Sequence, residues 1–275
     1  MRTWSFAKGH GTLNDFVLIK DRSGMLNPSE DDVRFLCDRR AGIGADGVLR
    51  AVKAQNMPGW AGPGNPWFMD YRNADGSIAE MCGNGIRVFA RWLIEEDLAT
   101  GDVIEIATRA GSRRVTVRQD GRISATMGVP QWSEEETRVR LGGRDWWGHP
   151  VDVGNDHCVV HVAEEDLASL DLTGPLELDR RRFPRGANVE FVVDVGPSHV
   201  RMRVLERGVG ETMSCGTGVV AASLDLRRRT DASMATVTVD VPGGTLTVGF
   251  GPDGEALLTG PAVIVARGEV ILPDA

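Results

Sequence analysis

Two cysteines stand in nearly the same local sequence, each at the start of a predicted helix. Cys82 opens the segment Cys82–Gly85 (CGNG), and Cys215 opens the segment Cys215–Gly218 (CGTG). A helix N-terminus presents unpaired backbone N–H groups and a partial positive charge, so it favours a thiolate and can hold a carboxylate. A thiolate on one face of a carbon atom can remove its proton while a thiol on the opposite face delivers another. The pair therefore predicts stereoinversion at the α-carbon of an amino acid, without an electron-sink cofactor.

The two segments belong to an internal repeat. The cysteines are 133 residues apart, and the same separation relates Asn73 to Glu206, each of which opens a polar turn. A fainter copy links the NDF sequence at Asn14 with the NDH sequence at Asn155. Two similar halves, each with a cysteine at a helix start, predict a pseudo-symmetric pair of domains facing one cleft.

The elements that must position these residues can be read from hydrophobic spacing. Three helices are predicted: one capped by Ser29, one from about residue 83 to 96, and one from about residue 216 to 228. Runs rich in β-branched residues, separated by Gly, Asp and Pro, predict strands at 16–19, 47–49, 115–117, 189–195, 200–205 and 236–250. Few helices and many strands predict an α+β fold.

Composition narrows the class of protein. The 275 residues are 41% hydrophobic and carry a net charge of −8, which argues against a nucleic-acid or anionic-membrane surface. No apolar run approaches the roughly 20 residues of a membrane span, and the N-terminus does not resemble a secretory signal. We therefore expect a cytoplasmic protein with reduced thiols. Four scattered cysteines without a CxxC pair predict neither a disulfide framework nor a structural zinc site.

Other motifs have simpler interpretations. Cys37 and Cys158 lie in apolar runs and are predicted to be core residues. His157 and His161 could share a strand face and bind a metal, but without further clustered ligands a core or substrate-orienting role is favoured. Gly42–Gly47 matches GxGxxG but precedes a strand, which argues against a dinucleotide site. The repeated cysteines could also form a reversible disulfide.

Taken together, the motifs resemble the diaminopimelate epimerase family over nearly the whole chain. The stretches that carry the resemblance are His10–Phe16, Arg40–Gly47, Asp70–Arg87, Gly154–His157, Asn188–Val189 and Glu206–Gly218. The resemblance implies two pseudo-symmetric α+β domains, each a mostly antiparallel or mixed sheet wrapped around a central helix. They would comprise residues 1–123 with a C-terminal strand at 262–275, and residues 124–261.

The resemblance also implies an activity. Members of the family interconvert L,L- and meso-diaminopimelate in lysine and peptidoglycan-precursor synthesis, without pyridoxal phosphate, other cofactors or metal. A homodimer is plausible on the same grounds.

Site residues carry over from the family position by position. The resemblance implies that Cys82 and Cys215 are the acid–base pair, Cys82 acting on the L,L isomer and Cys215 on the meso isomer. It implies that His157 and Glu206 set cysteine basicity and orient the reacting amine. The residues expected to contact the substrate are Asn14, Asn73, Asn155, Asn188 and Arg207, and those expected to offer backbone N–H groups to its reacting carboxylate are Gly83, Asn84, Gly216 and Thr217.

The sequence departs from the family pattern at three positions, and it leaves alternative functions open. Leu13 stands where many members have glycine, Asp156 where proline is usual, and Gly47 where some have glutamine; these changes bear on efficiency and strict substrate identity, not on the reaction type. A racemase of the same fold acting on proline or histidine is the closest rival, although proline-type relatives typically have histidine at the position of Asn84. Arg207 and the asparagines favour a long substrate with two amino-acid ends. A non-catalytic binding protein or thiol redox sensor is the rival from another class.

Overall fold

The computed structural model describes residues 2–273, so the predicted domain limits at residues 1 and 275 lie outside the described range. The chain divides into two compact units. Unit 1 comprises the residues up to Ala125 together with those from Gly260 onward, and unit 2 comprises Thr126–Thr259. No helix within residues 2–273 combines the length and apolar character needed to cross a membrane.

The elements are numbered in chain order. The helices are α1 (Glu30–Cys37), α2 (Gly83–Glu95), α3 (Glu164–Ser169) and α4 (Gly216–Arg229), with a 3₁₀ turn at Ala54–Asn56. The strands are β1 (Arg2–Gly11), β2 (Asn14–Lys20), β3 (Gly47–Lys53), β4 (Trp67–Asn73), β5 (Val103–Thr108), β6 (Gly111–Val117), β7 (Ile123–Thr126), β8 (Gln131–Trp132), β9 (Thr137–Leu141), β10 (Arg144–Asp152), β11 (Asp156–His161), β12 (Leu176–Leu178), β13 (Asn188–Gly196), β14 (His199–Glu206), β15 (Gly210–Thr212), β16 (Thr236–Val241), β17 (Gly244–Phe250), β18 (Ala256–Gly260) and β19 (Val263–Leu272).

Unit 1 is a mixed sheet around α2. Its strands are hydrogen-bonded in the order β19-β1-β2-β3-β4-β5-β6-β7, with parallel pairs at β2–β3 and β4–β5 and antiparallel pairs elsewhere. Helix α2 packs against five strands of this order, β19, β1, β2, β4 and β5. Its apolar face, which includes Ile86, Phe89 and Leu93, is fully buried with Phe16 and Leu18 of β2. Burial on several sides explains why this helix is apolar over most of its surface.

Unit 2 repeats this plan around α4. The pairs β10–β11, β13–β14, β16–β17 and β17–β18 are antiparallel, while β11–β13 and β14–β16 are parallel. Helix α4 packs against β10, β11, β13, β14, β16 and β17. Each unit thus places its longest helix between the fourth strand of the repeated order, β4 or β14, and a strand parallel to it; in unit 2 the short strand β15 also lies between β14 and α4.

The three predicted helices are confirmed, and one helix was missed. Helix α1 begins at the Ser29 cap, where the Ser29 hydroxyl accepts the Asp32 N–H at 3.1 Å and the Asp32 carboxylate accepts the Ser29 N–H at 2.9 Å. Helix α3 has six residues and its N-cap, Ala163, makes no capping side-chain hydrogen bond. It lies between β11 and β13, where the repeat places the counterpart of α1. Neither a capping residue nor its length identifies α3 in the sequence, but the internal repeat places a helix at this position.

Candidate active site

Cys82 is the N-cap residue of α2 in unit 1. Its backbone is extended (φ −140°, ψ 118°), and its half-buried Sγ accepts the N–H of Gly85 at 3.3 Å. A bond from a backbone N–H to sulfur stabilises the thiolate more than the thiol. The thiol of Cys82 therefore occupies the place of an ordinary capping oxygen at the positive end of the helix dipole.

Two of the predicted substrate residues lie beside this cysteine. Asn14, the first residue of β2, has its Oδ1 3.9 Å from Cys82 Sγ and accepts the Nδ2–H of Asn84 at 3.1 Å. The Nδ2–H of Asn14 is donated to Asp46 Oδ2 at 2.8 Å. Gly83 and Asn84 are the first two helical residues and are buried. Unit 1 thus brings together Cys82, Gly83, Asn84 and Asn14 at one helix end.

The turn before Asn14 is strained. Thr12 and Leu13 link β1 to β2 with φ values of 49° and 62°, the left-handed region that glycine and asparagine tolerate best. The Leu13 side chain is 48% exposed. The departure at Leu13 therefore places a bulky residue in a glycine-type conformation directly before a predicted substrate residue.

Asn73 ends β4 and has a different environment. Its Nδ2–H is donated to Ser77 Oγ at 3.0 Å, and its backbone N–H to the Ser77 carbonyl at 2.9 Å. The contacts that the structure gives Asn73 are those of its own turn. It is not joined to the Cys82 cluster by the hydrogen bonds of residues 2–273.

Cys215 is the N-cap residue of α4 in unit 2 and is buried. Its Sγ lies 3.4 Å from Thr217 Oγ1 and 4.0 Å from Asn188 Nδ2. Burial raises the pKa of the Cys215 thiol well above its usual range, and the carboxylates of Glu206 and Glu190 act in the same direction. Cys215 therefore favours the protonated thiol.

His157 is held by a buried carboxylate. Its Nδ1 lies 2.7 Å from Glu190 Oε1 and its Nε2 lies 3.1 Å from Asn155 Oδ1, and neither His157 nor Glu190 is exposed. A carboxylate accepts and does not donate when ionised, so His157 Nδ1 is the donor of this bond when Glu190 is ionised. Glu190 also lies against the first turn of α4, since a Cβ on Gly218 would come within 2.5 Å of its Oε1. The glycine at this position makes room for the carboxylate.

Glu206 and Arg207 close the same site from the end of β14. The Thr212 hydroxyl donates a hydrogen bond to Glu206 Oε1, and burial raises the pKa of the Glu206 carboxyl. The Arg207 N–H is donated to Asn188 Oδ1 at 2.9 Å, while its guanidinium is exposed and donates to the Arg185 carbonyl at 3.3 Å. Glu206, Arg207 and Arg185 line a cavity of about 1010 Å³ within unit 2.

Two buried charged residues that lie near the cysteines were not singled out by the sequence analysis. Glu190 lies in a strand run of hydrophobic residues, and Arg87 lies on the apolar helix α2. A single charged residue in such a run was the available signal, because buried charges are retained where they have a partner or a function. The two histidines considered as a metal pair have separate partners: His157 contacts Glu190, and His161 contacts Asp225.

Comparisons with known proteins agree over almost the whole chain. A family model described as diaminopimelate epimerase matches residues 6–133 and 150–265. The diaminopimelate epimerase of Streptomyces coelicolor is 47% identical over 274 residues, covering 96% of this chain and 94% of the relative. That of Thermobifida fusca is 48% identical over 273 residues, covering 97% and 98%.

The chain belongs to the diaminopimelate epimerase family. Solved structures of other proteins share its fold at low sequence identity. A PhzF-family phenazine biosynthesis protein from Bacillus anthracis superimposes with a TM-score of 0.71 at 15% identity, covering 99% of this chain and all of that one. A probable proline racemase from Agrobacterium radiobacter gives a TM-score of 0.71 at 16% identity, covering 98% and 93%. The predicted α+β fold class is confirmed.

Proposed function

We propose that this chain is a diaminopimelate epimerase that interconverts the L,L and meso isomers without pyridoxal phosphate. The observation that carries the proposal is a cysteine at the N-cap of the longest helix in each unit of a chain that belongs to this family. We assign residues 1–123 with 262–275, and residues 124–261, to the two domains of the enzyme. A cytoplasmic homodimer is part of the same proposal.

Proton transfer by two thiols accounts for the inversion. With the L,L isomer, the Cys82 thiolate removes the α-proton and the Cys215 thiol delivers a proton to the opposite face. The product is the meso isomer, and the enzyme is left with Cys82 as thiol and Cys215 as thiolate. The meso isomer is converted by the reverse transfers. One proton is removed and one is delivered in each turnover, so no oxidant or other reactant is consumed.

The negative charge that develops as the α-proton leaves must be stabilised. Backbone N–H groups of Gly83 and Asn84 in α2, and of Gly216 and Thr217 in α4, would bind the carboxylate next to the reacting carbon, where each helix dipole is positive. These donors are fixed by the helices before substrate binds, so little reorganisation is needed during the reaction. His157 and Glu206 would hold the reacting ammonium and adjust the basicity of Cys215.

A second set of residues would recognise the unreacting end of the substrate. Arg207 has an exposed guanidinium that can bind a carboxylate with two parallel hydrogen bonds. Asn14, Asn73, Asn155 and Asn188 offer amides that can donate to a carboxylate and accept from an ammonium group. A site that leaves such groups unpaired discriminates against a shorter amino acid.

Epimerisation in deuterated water tests the proposal. Reduced protein would be incubated with L,L-diaminopimelate, and NMR would follow formation of the meso isomer and loss of the α-proton signal. We expect both to occur without added cofactor, with deuterium entering at the epimerised α-carbon. The matched controls are Cys82→Ser and Cys215→Ser, for which we expect the reaction to fall by at least about a hundredfold.

Each outcome decides between functions. If folded protein with free thiols neither forms the meso isomer nor exchanges the α-proton, the assignment to this substrate is overturned. Proline and histidine would then be tested as substrates, because the hypothesis of a proline or histidine racemase requires that one of them react. Substrate binding with no exchange in any of these amino acids would support a binding protein.

A further inference from the structure

Arg87 is a fully buried cation in the second turn of α2, five residues after Cys82. It donates from Nη1 to the Gly83 carbonyl at 2.9 Å and from Nη2 to Asn84 Oδ1 at 3.0 Å. Its Nε makes no hydrogen bond, and no carboxylate within residues 2–273 forms an ion pair with it. A buried charge without a counter-ion costs stability, so its presence requires a reason.

The charge of Arg87 is coupled to Cys82. Burial lowers the pKa of the Arg87 guanidinium to about 10, and the charge of Cys82 acts in the opposite direction. The interaction is reciprocal, because a cation that is stabilised by a thiolate stabilises that thiolate equally. The Gly85 N–H, 3.3 Å from Cys82 Sγ, adds a hydrogen bond to the same sulfur.

Charged groups on the strands around α2 are paired elsewhere. Lys8 of β1 contacts Asp15 of β2 at 2.7 Å, and Asp70 of β4 contacts both Arg50 and Arg109. Ion pairs of this kind largely cancel at a distance, whereas the Arg87 charge is not cancelled.

The hydrogen bonds of Arg87 also fix the direction of a chain of amides. A guanidinium only donates, so the atom of Asn84 facing it must be the carbonyl oxygen. The Nδ2–H of Asn84 then points to Asn14 Oδ1 at 3.1 Å, and the Nδ2–H of Asn14 points to Asp46 Oδ2 at 2.8 Å. With Arg87 and Asp46 at its two ends, the chain has a single consistent orientation.

Unit 2 has the opposite electrostatics at the equivalent place. The repeat spacing of 133 residues relates Arg87 to Val220, which is fully buried. A Cβ on Gly85 would meet Cys82 at 3.2 Å and Leu49 at 3.3 Å, whereas a Cβ on its counterpart Gly218 would meet the Glu190 carboxylate at 2.5 Å. One cysteine therefore lies near a buried cation and the other near buried carboxylates.

We propose that Arg87 is a positioning residue for the epimerisation, whose buried cation keeps Cys82 as the thiolate of the resting enzyme and whose hydrogen bonds hold Asn84 and Asn14 in one orientation. The charge asymmetry of the repeat then leaves Cys215 as the resting thiol. The free enzyme can therefore remove the substrate α-proton with the Cys82 thiolate. This inference rests on the proposed function for its catalytic meaning, but the ionisation states can be measured without turnover.

Labelling with iodoacetamide as a function of pH measures those states, because the thiolate is the reactive form. The labelled peptides containing Cys82 and Cys215 are quantified separately by mass spectrometry. Arg87→Met removes the charge and the donors, Arg87→Gln removes the charge but keeps a donor, and Arg87→Lys keeps the charge. Arg91→Met, which removes a part-exposed cation one turn further along α2, is the matched control.

In the wild type we expect Cys82 to become reactive at lower pH than Cys215. In Arg87→Met and Arg87→Gln the Cys82 labelling rate, measured at a pH well below the wild-type half-maximum, should fall about tenfold, which corresponds to a rise of about one unit in its pKa. Arg87→Lys should retain most of the wild-type rate, and Arg91→Met all of it. The kcat/KM for L,L-diaminopimelate should fall with the labelling rate at that pH and recover at higher pH.

Three results would overturn the inference. One is a wild type in which Cys215 becomes reactive before Cys82, and this test needs no variant. Another is an unchanged Cys82 profile in either neutral variant that remains folded. The third is a loss of thermal stability and activity with an unchanged profile, which is what a structural role alone would produce. If the labelling results are as expected but the wild type does not epimerise diaminopimelate, the control of Cys82 ionisation by Arg87 stands and the proposed function fails.

Discussion

Identical Cys-Gly-x-Gly sequences acquire different chemistry from the side chains around them. In unit 2 the Cys215 thiol is buried next to Glu206, and both groups have a raised pKa because burial disfavours their charged forms. Burying two acids side by side keeps a proton at the pair, since two adjacent anions would repel each other. The arrangement suits a residue that must begin the cycle as a proton donor.

Glu206→Gln tests this pairing at the residue scale. The change removes one of the negative charges that raise the pKa of Cys215 and keeps the shape of the side chain. We therefore expect the Cys215 thiol pKa to fall, so that more thiolate is present at any given pH. Iodoacetamide labelling of the Cys215 peptide should reach half its maximum at lower pH than in the wild type.

A suitable control is Glu211→Gln in β15. Glu211 pairs with Arg203 at 2.7 Å and is exposed, so its replacement should leave the Cys215 profile unchanged. A Cys215 profile that stays in place or moves to higher pH in Glu206→Gln would contradict the electrostatic account.

Sequence alone located the cysteines but not the charges that distinguish them. Cys82 and Cys215 were predictable because a repeated motif at a helix start can be recognised directly in the amino-acid sequence. Arg87 and Glu190 were not, since a charged residue in an element gives no sign by itself of being buried, and its burial depends on which strands surround it. Asn73 shows that the reverse error is also possible: a residue at a motif position of the family can hydrogen-bond within its own turn, as its amide does with Ser77.

At the scale of elements, α4 is anchored by a buried carboxylate far from its cysteine. Asp225 is unexposed and accepts hydrogen bonds from Trp132 of β8, His161 of β11 and Arg229 of the same helix, while His149 of β10 lies 2.8 Å away. Burial alone would raise the pKa of Asp225, but these donors outweigh it and hold the pKa well below its usual range. One side chain thus ties the helix to three strands.

Asp225→Asn should destabilise the protein by about 3 kcal/mol at pH 7, because it leaves buried donors and a cation without their anion. A carboxylate with a depressed folded-state pKa contributes stability above its unfolded value of about 3.9, and this is lost as the pH falls through the folded value. The difference in unfolding free energy between wild type and variant should therefore shrink below about pH 4.

Denaturant unfolding across this pH range measures the effect. Asp231→Asn, just beyond α4 and exposed, is the control and should change stability by less than about 0.5 kcal/mol. A difference for Asp225→Asn that is below about 1 kcal/mol at pH 7 would contradict the anchoring role.

At the scale of the whole molecule, the two units differ in how the chain builds them. Unit 2 is one continuous segment, whereas unit 1 needs both chain ends, since β19 pairs with β1 from Arg2–Leu272 to His10–Val263. Leu272 of β19 is fully buried with Trp4, Val17 and Ile19. The topology of each unit follows from the repeat, but the return of the last strand to the first sheet does not. No periodicity marks which strand a C-terminal segment will join.

The continuity of unit 2 predicts different behaviour for the isolated segments. Residues 126–259 should fold alone and unfold cooperatively, because β8 to β17 keep all their strand partners within that segment. Residues 1–125 should not, because β1 would lose its β19 partner and expose the apolar residues beneath Leu272. Joining residues 260–275 to residues 1–125 through a flexible glycine–serine linker should restore folding, since the closure entropy of such a loop grows only slowly with its length. Circular dichroism and thermal unfolding of the three polypeptides decide the matter: cooperative unfolding of residues 1–125 with the same midpoint as the linked form would show that β19 is dispensable for unit 1.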